Sequence, residues 1–308
     1  MSHVFGPVPS RRLGRSLGVD LIPFKTCSYD CIYCQLGRTT SKTIERKEWV
    51  PLRTVLDDLK PKLALNPDWI TLSGSGEPTL YSRLDELIAD IHEITDVPVA
   101  VLTNGSLLWQ PDLRRQISKA DLVIPSLDGG DSETFQTINR PAPKISFETM
   151  LEGLIAFRQE FKKQYWLEIL LLEGINADGE PLENLIRCVS AIAPDRIQLN
   201  TATRPPAEQS ARPVAPARMQ EIAARFGPTA EVIADYRNVH AQTDFSSQKD
   251  AVMELLSRRP CTTEDIAGGL GIHRNEVVKY IEELTEAGQL AVENIAEKTF
   301  YKPTRKET

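Results

Sequence analysis

No run of the chain's 308 residues is apolar for long enough to cross a bilayer. Stretches such as Leu167–Leu172 and Val97–Leu102 fall far short of the roughly 18–20 residues that a membrane helix needs. The opening residues have no apolar core of a secretory signal, and a cytosolic location is expected. Cysteine is scarce: five residues, at 27, 31, 34, 188 and 261. An odd number with three packed together argues against a disulfide framework in a reducing compartment and points to metal or redox chemistry. Repeats at solenoid period and low-complexity tracts are absent as well. What remains, 41% hydrophobic and 26% charged, is too apolar for a disordered chain and suits one large domain plus a small one. Charge is uneven within a net −7: residues 1–65 carry +5, residues 66–246 carry −10, and residues 247–308 carry −2. The positive excess surrounds the cysteine cluster.

Six short apolar runs, from "LGVDLIPF" through "DWITLS", "VPVAVLTN", "DLVIPSL" and "YWLEILLL" to "DRIQLN", alternate with segments of helical period. That alternation predicts parallel strands joined by helical crossovers, as a doubly wound sheet or as a full or partial β/α barrel. A helix is predicted near 216–225 and a last strand at "AEVIAD". Residues 236–247 read as a linker. Beyond it, three helical patterns and an alternating tail predict a winged helix-turn-helix over 248–308, after a first domain over 1–235.

Cys27, Cys31 and Cys34 stand in C-x3-C-x2-C spacing just after the first predicted strand. Three thiolates from one loop can hold three irons of a [4Fe–4S] cluster and leave the fourth iron open. A zinc knuckle would want a fourth Cys or His close by, and the nearest downstream candidate is His92, on a predicted helix. Cys188 and Cys261 read as incidental thiols.

With that loop the sequence resembles the radical S-adenosylmethionine (SAM) superfamily. The resemblance covers about residues 5–235 and implies a partial (β/α)6 barrel, an α/β fold, whose cofactors are a [4Fe–4S] cluster bound by Cys27, Cys31 and Cys34, and SAM. Tyr33 corresponds to a position near the adenine. The turn Gly74-Ser75-Gly76-Glu77-Pro78 resembles the family's Gly-Gly-Glu-Pro turn, which receives the methionine amino group, with Ser75 in place of the first glycine. Thr103 and Asn104, and Ser126 and Asp128, look like the positions that contact the methionine carboxylate and the ribose. Ser126 and Asp128 read equally well as caps of the following helix. The implied activity is reductive cleavage of SAM to a 5′-deoxyadenosyl radical that takes hydrogen from a substrate, with a one-electron reductase such as flavodoxin or ferredoxin as partner.

The subgroup resembled includes the tRNA wyosine-base synthases, which carry further cysteines upstream, whereas this chain has none before Cys27. Three readings therefore stand: a radical SAM enzyme acting on an anionic substrate or RNA, a wyosine-like tRNA modifier, and a winged-helix regulator that senses redox state or SAM. Arg11, Arg12 and Arg15 before the first strand, and Arg38, Lys42, Arg46 and Lys47 after the cysteine loop, read either as a solvated basic face or as contacts to phosphate or carboxylate. Arg204 has the same two readings. The third helix of the terminal module is acidic, so protein contact or dimerisation suits that module at least as well as DNA binding.

Overall fold

In a computed structural model of the chain, the described residues are 2–10, 12–202, 206–234, 246–258, 260–270, 272–295 and 298–304. Strands β1 (Val4–Ser10) and β2 (Gly14–Val19) are antiparallel and open the main sheet. A two-residue pair, β3 (Thr26–Cys27) and β4 (Ser41–Lys42), stands outside it. Strands β5 (Trp69–Leu72), β6 (Val99–Thr103), β7 (Leu122–Pro125), β8 (Gln164–Leu171), β9 (Arg196–Thr201) and β10 (Ala230–Val232) extend the sheet. The spatial order is β1-β2-β5-β6-β7-β8-β9-β10, parallel from β2 onward. The six predicted strands are β2 and β5 to β9, and β10 is the expected last one. β1 was not anticipated. Its Gly6, Pro7 and Pro9 are residues that a central strand excludes and that an edge position tolerates, and β1 is the edge.

The crossovers carry α1 (Leu52–Leu59), α2 (Leu84–Ile94), α3 (Pro111–Ile117), α4 (Ser132–Asn139), α5 (Phe147–Glu160), α6 (Gly179–Ile192) and α7 (Pro216–Phe226). All but α4 follow the helical patterns read from sequence. α4 is a short segment of modest apolar content, started by Asp131, whose carboxylate accepts the Thr134 N–H at 2.8 Å. Side chains alternate across each strand and so divide between two cores. From β6, Val99 and Val101 join the large core that the seven helices cover, while Ala100 joins a smaller cluster with Leu13, Leu122, Ile124 and Trp166. Each fully buried Leu, Ile or Phe in the large core contributes about 1.5–3 kcal/mol. The large core fixes the sheet; the sparser face leaves room for a cavity.

The C-terminal region forms α8 (Ser246–Arg258), α9 (Thr263–Leu270) and α10 (Arg274–Glu286), then an antiparallel ribbon of β11 (Leu290–Ile295) and β12 (Lys298–Pro303). It has a core of its own, in which Val252, Ile266, Val277, Ile281 and Tyr301 meet. Of the expected linker, residues 236–245 lie outside the described residues and 246–247 already begin α8. No helix among the described residues is long and apolar enough to cross a membrane.

Candidate functional site

The cysteines lie on the loop that leaves the C-terminal end of β2, and its base is tied shut. Thr40 and Ser41 donate backbone N–H groups to the Lys25 carbonyl at 3.1 and 3.0 Å, and Thr43 N–H donates to Cys27 O at 3.0 Å. The C-terminal end of α4 braces the far side, where Asp30 N–H reaches Asn139 O and Ile32 N–H reaches Ile138 O, both at 3.0 Å. Cys27, Cys31 and Cys34 all line one cavity of about 410 Å³. Each thiol has a polar neighbour: Asn104 Nδ2 at 3.5 Å from Cys27 Sγ, Asn139 Nδ2 at 3.5 Å from Cys31 Sγ, and Lys25 Nζ at 3.7 Å from Cys34 Sγ. Burial pushes the Cys27 thiol up to about 12, with the Glu77 charge adding to it, and pushes Cys31 well above the ordinary thiol range. Thiols so placed keep their protons until a metal displaces them. Tyr29 lines the same cavity, and its Oη is a buried polar atom with no hydrogen-bond partner among the described residues.

The turn after β5 packs directly on this loop. Lys25 N–H donates to Ser75 O at 2.7 Å and Glu77 N–H to Thr26 O at 3.2 Å. Position 76 accepts only glycine, because a Cβ there would stand 2.0 Å from Thr26 O. Glu77 is 2% exposed, and among the described residues its hydrogen-bond donors are all neutral. Its Oε1 accepts from Thr79 N–H at 3.0 Å and from the hydroxyls of Thr79 and Thr103 at 2.6 Å each, and its Oε2 accepts Asn104 N–H at 2.7 Å. Burial raises its pKa, and those hydrogen bonds oppose the rise. The arrangement is a desolvated carboxylate whose favoured companion is a cation.

The end of β7 supplies a second buried carboxylate. Asp128 accepts from Tyr33 Oη at 2.6 Å, Asn139 Nδ2 at 2.7 Å and Leu170 N–H at 3.0 Å. Burial raises its pKa as well. The capping alternative for Ser126 and Asp128 is corrected here: Asp131 caps α4, while Ser126 forms an isolated bridge with Glu168 of β8. Thr103 and Asn104 reach Glu77 and the cysteine loop, so the predicted residues at 27–34, 74–77, 103–104 and 126–128 converge at the strand ends.

The basic residues do not form one rim. Arg12 turns into the cavity but is paired with Glu168 at 2.7 Å. Arg15 donates to Leu65 O, Arg38 pairs with Glu208, and Lys42 Nζ donates to Arg140 O at 3.1 Å. Arg46 holds the carbonyls of Thr79 and Tyr81, and Lys47 lies over the Trp49 ring. Arg11 and Arg204 lie outside the described residues. His92 bonds Asp121 at 3.0 Å, away from the cavity, and Cys188 and Cys261 are buried in the two hydrophobic cores. Sequence reasoning missed Asp20, Lys25 and Asn139, single polar residues with no motif around them; their roles appear only when the strand ends meet. It also missed Asn275, Val278 and Lys279 of α10, which line the cavity although they belong to the terminal module.

A family model described as the radical SAM superfamily matches residues 21–187. The chain belongs to the radical SAM superfamily. It is an iron–sulfur enzyme, and its cofactors are a [4Fe–4S] cluster and SAM, as throughout the family. A Helicobacter pylori (strain J99) protein designated UPF0026 is 32% identical over 304 residues, covering 97% of this chain and 96% of that protein. A Brachyspira hyodysenteriae protein named GTPase Obg is 41% identical over 296 residues, 94% of this chain but 44% of that protein, so the chain spans less than half of that relative. The tRNA 4-demethylwyosine synthase of Methanocaldococcus jannaschii is 30% identical over 171 residues, covering 54% of this chain and 52% of that enzyme. In fold, the chain is similar to a radical SAM methyltransferase from Sphaerobacter thermophilus, with a TM-score of 0.52 at 17% identity, covering 70% of this chain and 66% of that one.

Proposed function

We propose that this radical SAM enzyme binds its cluster through Cys27, Cys31 and Cys34 and its SAM between the turn Gly74–Pro78 and the ends of β6 and β7, and that it initiates radical chemistry on a small anionic substrate or an anionic group of RNA. Bound together, the reduced cluster and SAM supply a 5′-deoxyadenosyl radical for hydrogen abstraction. The residues present fit both groups. Three half-buried cysteines line one cavity together with Tyr29, whose hydroxyl is orphaned, and among the described residues no three His, Cys, Asp or Glu side chains converge on a single-ion site, whereas a cluster takes one thiolate on each of three irons. The observation that carries the reading is Glu77, a buried carboxylate ringed by neutral donors beside those thiols, where a methionine ammonium completes the charge balance.

On this reading Glu77 holds the ammonium, with Thr103 and Asn104 keeping its two oxygens in place. Asp128 and Tyr33 border the adenosyl end, and the cavity walls exclude water from the reacting atoms. Lys25, on the cavity wall beside the neutralised Arg12–Glu168 pair, supports an anionic substrate. The domain reading follows the same lines: residues 1–235 as a partial (β/α)6 barrel, 236–247 as a linker and 248–308 as a winged helix, with a flavodoxin- or ferredoxin-like reductase as electron donor. α10 is the helix that a DNA-reading winged helix would lay in a groove. Here its Glu276 accepts Gly6 N–H at 3.0 Å and Arg274 lies 3.7 Å from the Phe24 ring, which supports an enzyme module over a DNA-binding regulator.

A wyosine-like tRNA modification is the second reading, supported by the 30% identity to the archaeal synthase. Residues 1–26 hold no cysteine. The test is anaerobic reconstitution with iron and sulfide, then SAM and dithionite. Formation of 5′-deoxyadenosine by the native chain and its loss in Glu77→Ala is the expected result; equal yields from both would refute the assigned SAM site.

A further inference from the structure

Ser75 is the one departure from the family's glycine turn, and its side chain is engaged. Its hydroxyl donates to Asp20 Oδ2 at 2.5 Å, and its N–H donates to Asp20 Oδ1 at 3.0 Å. Gly74 makes room for that carboxylate, since a Cβ there would stand 2.2 Å from Asp20 Oδ1. Asp20 also takes a partner from the opposite end of the sequence: His273 Nε2 lies 3.1 Å from Oδ2, with the two side chains 10% and 9% exposed. The other ring nitrogen, Nδ1, accepts Asn275 N–H at 3.2 Å as the N-cap of α10, which assigns the ring proton to Nε2 and aims it at Asp20. The ring is fixed further by stacking on Phe5, 4.4 Å between centroids and 11° between planes. Phe5 in turn fills the space over Gly18, where a Cβ would lie 2.0 Å from the phenyl ring.

We propose that His273 is a positioning residue for SAM: through Asp20 and Ser75 it holds the methionine-binding turn in register, so that docking of the C-terminal module is part of the SAM site. The inference rests on the reading that this turn binds SAM. Two of the turn's fastenings meet at Ser75. Lys25 N–H ties its Ser75 carbonyl to the cysteine loop, and Asp20 ties its Ser75 side chain and N–H to β2 and α10. Loss of the His273 donor frees one side of the Asp20 carboxylate, which can then rotate away from Ser75, and the groups that would face the methionine move with the turn. A displacement of about an ångström suffices to weaken a positioned contact. α10 cannot leave without opening the chamber, because Asn275, Val278 and Lys279 form part of its wall.

The test uses the full-length, cluster-loaded protein and SAM as the probe. SAM affinity is measured by equilibrium dialysis, and the electron paramagnetic resonance signal of the reduced cluster is recorded with and without SAM. His273→Phe keeps the ring stack and removes the N–H. It is expected to weaken SAM binding about three- to tenfold, the loss of one buried hydrogen bond, at unchanged iron content. His273→Gln, which restores a donor, is expected to recover most of the affinity. In an Asp20→Ala background, His273→Phe is expected to add less than about a twofold change, because both act through one carboxylate. Native affinity and an unaltered SAM-induced signal in His273→Phe, or losses from Asp20→Ala and His273→Phe that simply multiply, would overturn the inference. Glu77→Ala separates the two levels. If it weakens SAM binding while His273→Phe does not, the site reading stands and the role of His273 falls; if Glu77→Ala leaves binding intact, the site reading fails and takes the inference with it.

Discussion

The sheet body and the C-terminal module are built to different specifications. The body has one large core running through seven helices and eight strands, and its chemistry-bearing residues sit at strand ends, each braced by hydrogen bonds from neighbouring loops. The module has a small core of its own, and its contacts with the body among the described residues include His273 with Phe5 and Asp20, Glu276 with Gly6, and Arg274 with Phe24. The difference teaches that the two regions are packed around separate cores and still share one chamber. The candidate site's strand-end residues belong to the body, and one wall of the chamber belongs to a module with a core of its own.

That division can be broken by loosening one core without the other. Ile281 is buried in the module's core, and Ile281→Ala is expected to cost about 2–5 kcal/mol locally. A separate, earlier melting transition by calorimetry, with the visible absorption of the cluster retained through it, is the expected outcome. A single cooperative melt in which the cluster is lost would mean that the two cores are one folding unit.

The next effect belongs to the body alone. Glu77→Ala removes a charge-assisted partner for an ammonium, about 1.5–3 kcal/mol, or roughly ten- to hundredfold in SAM affinity. Dialysis should record that loss with the iron content unchanged. The smallest effect sharpens the contrast between a residue that caps a helix and one that holds the cavity-lining Tyr33. Asp131→Ala should lower global stability by about 1 kcal/mol in denaturant titration and leave SAM affinity as it was. Asp128→Asn, three residues earlier, should weaken SAM binding; indifference of both variants toward SAM would remove the end of β7 from the site.

Much of the body could be read from the sequence because it depends on local rules. Alternating strand and helix periods gave the parallel sheet, and the spacing of Cys27, Cys31 and Cys34 and the turn at Gly74–Pro78 marked which loops would meet. What escaped depends on long-range contact. β1 hides behind two prolines and a glycine that only an edge strand permits. The Arg12–Glu168 pair joins residues 156 apart, so a basic patch on paper is a neutralised pair in the fold. His273 lies 253 positions from Asp20, and no periodicity links an N-cap histidine to a carboxylate at the end of β2. The third helix of the terminal module is acidic and reads as a poor DNA reader, yet nothing in its composition pointed to the chamber wall it helps to form.

The central claim, that the chemistry resides in the strand-end cysteines of the body, is tested most directly by counting iron and recording the visible spectrum after anaerobic reconstitution of the native chain and of single cysteine variants. The native chain, Cys188→Ala and Cys261→Ala should each take up about four irons and show the broad absorption of a [4Fe–4S] cluster, while Cys27→Ala, Cys31→Ala and Cys34→Ala should not. A full cluster in any of the last three, or its loss in Cys188→Ala or Cys261→Ala, would contradict the assignment.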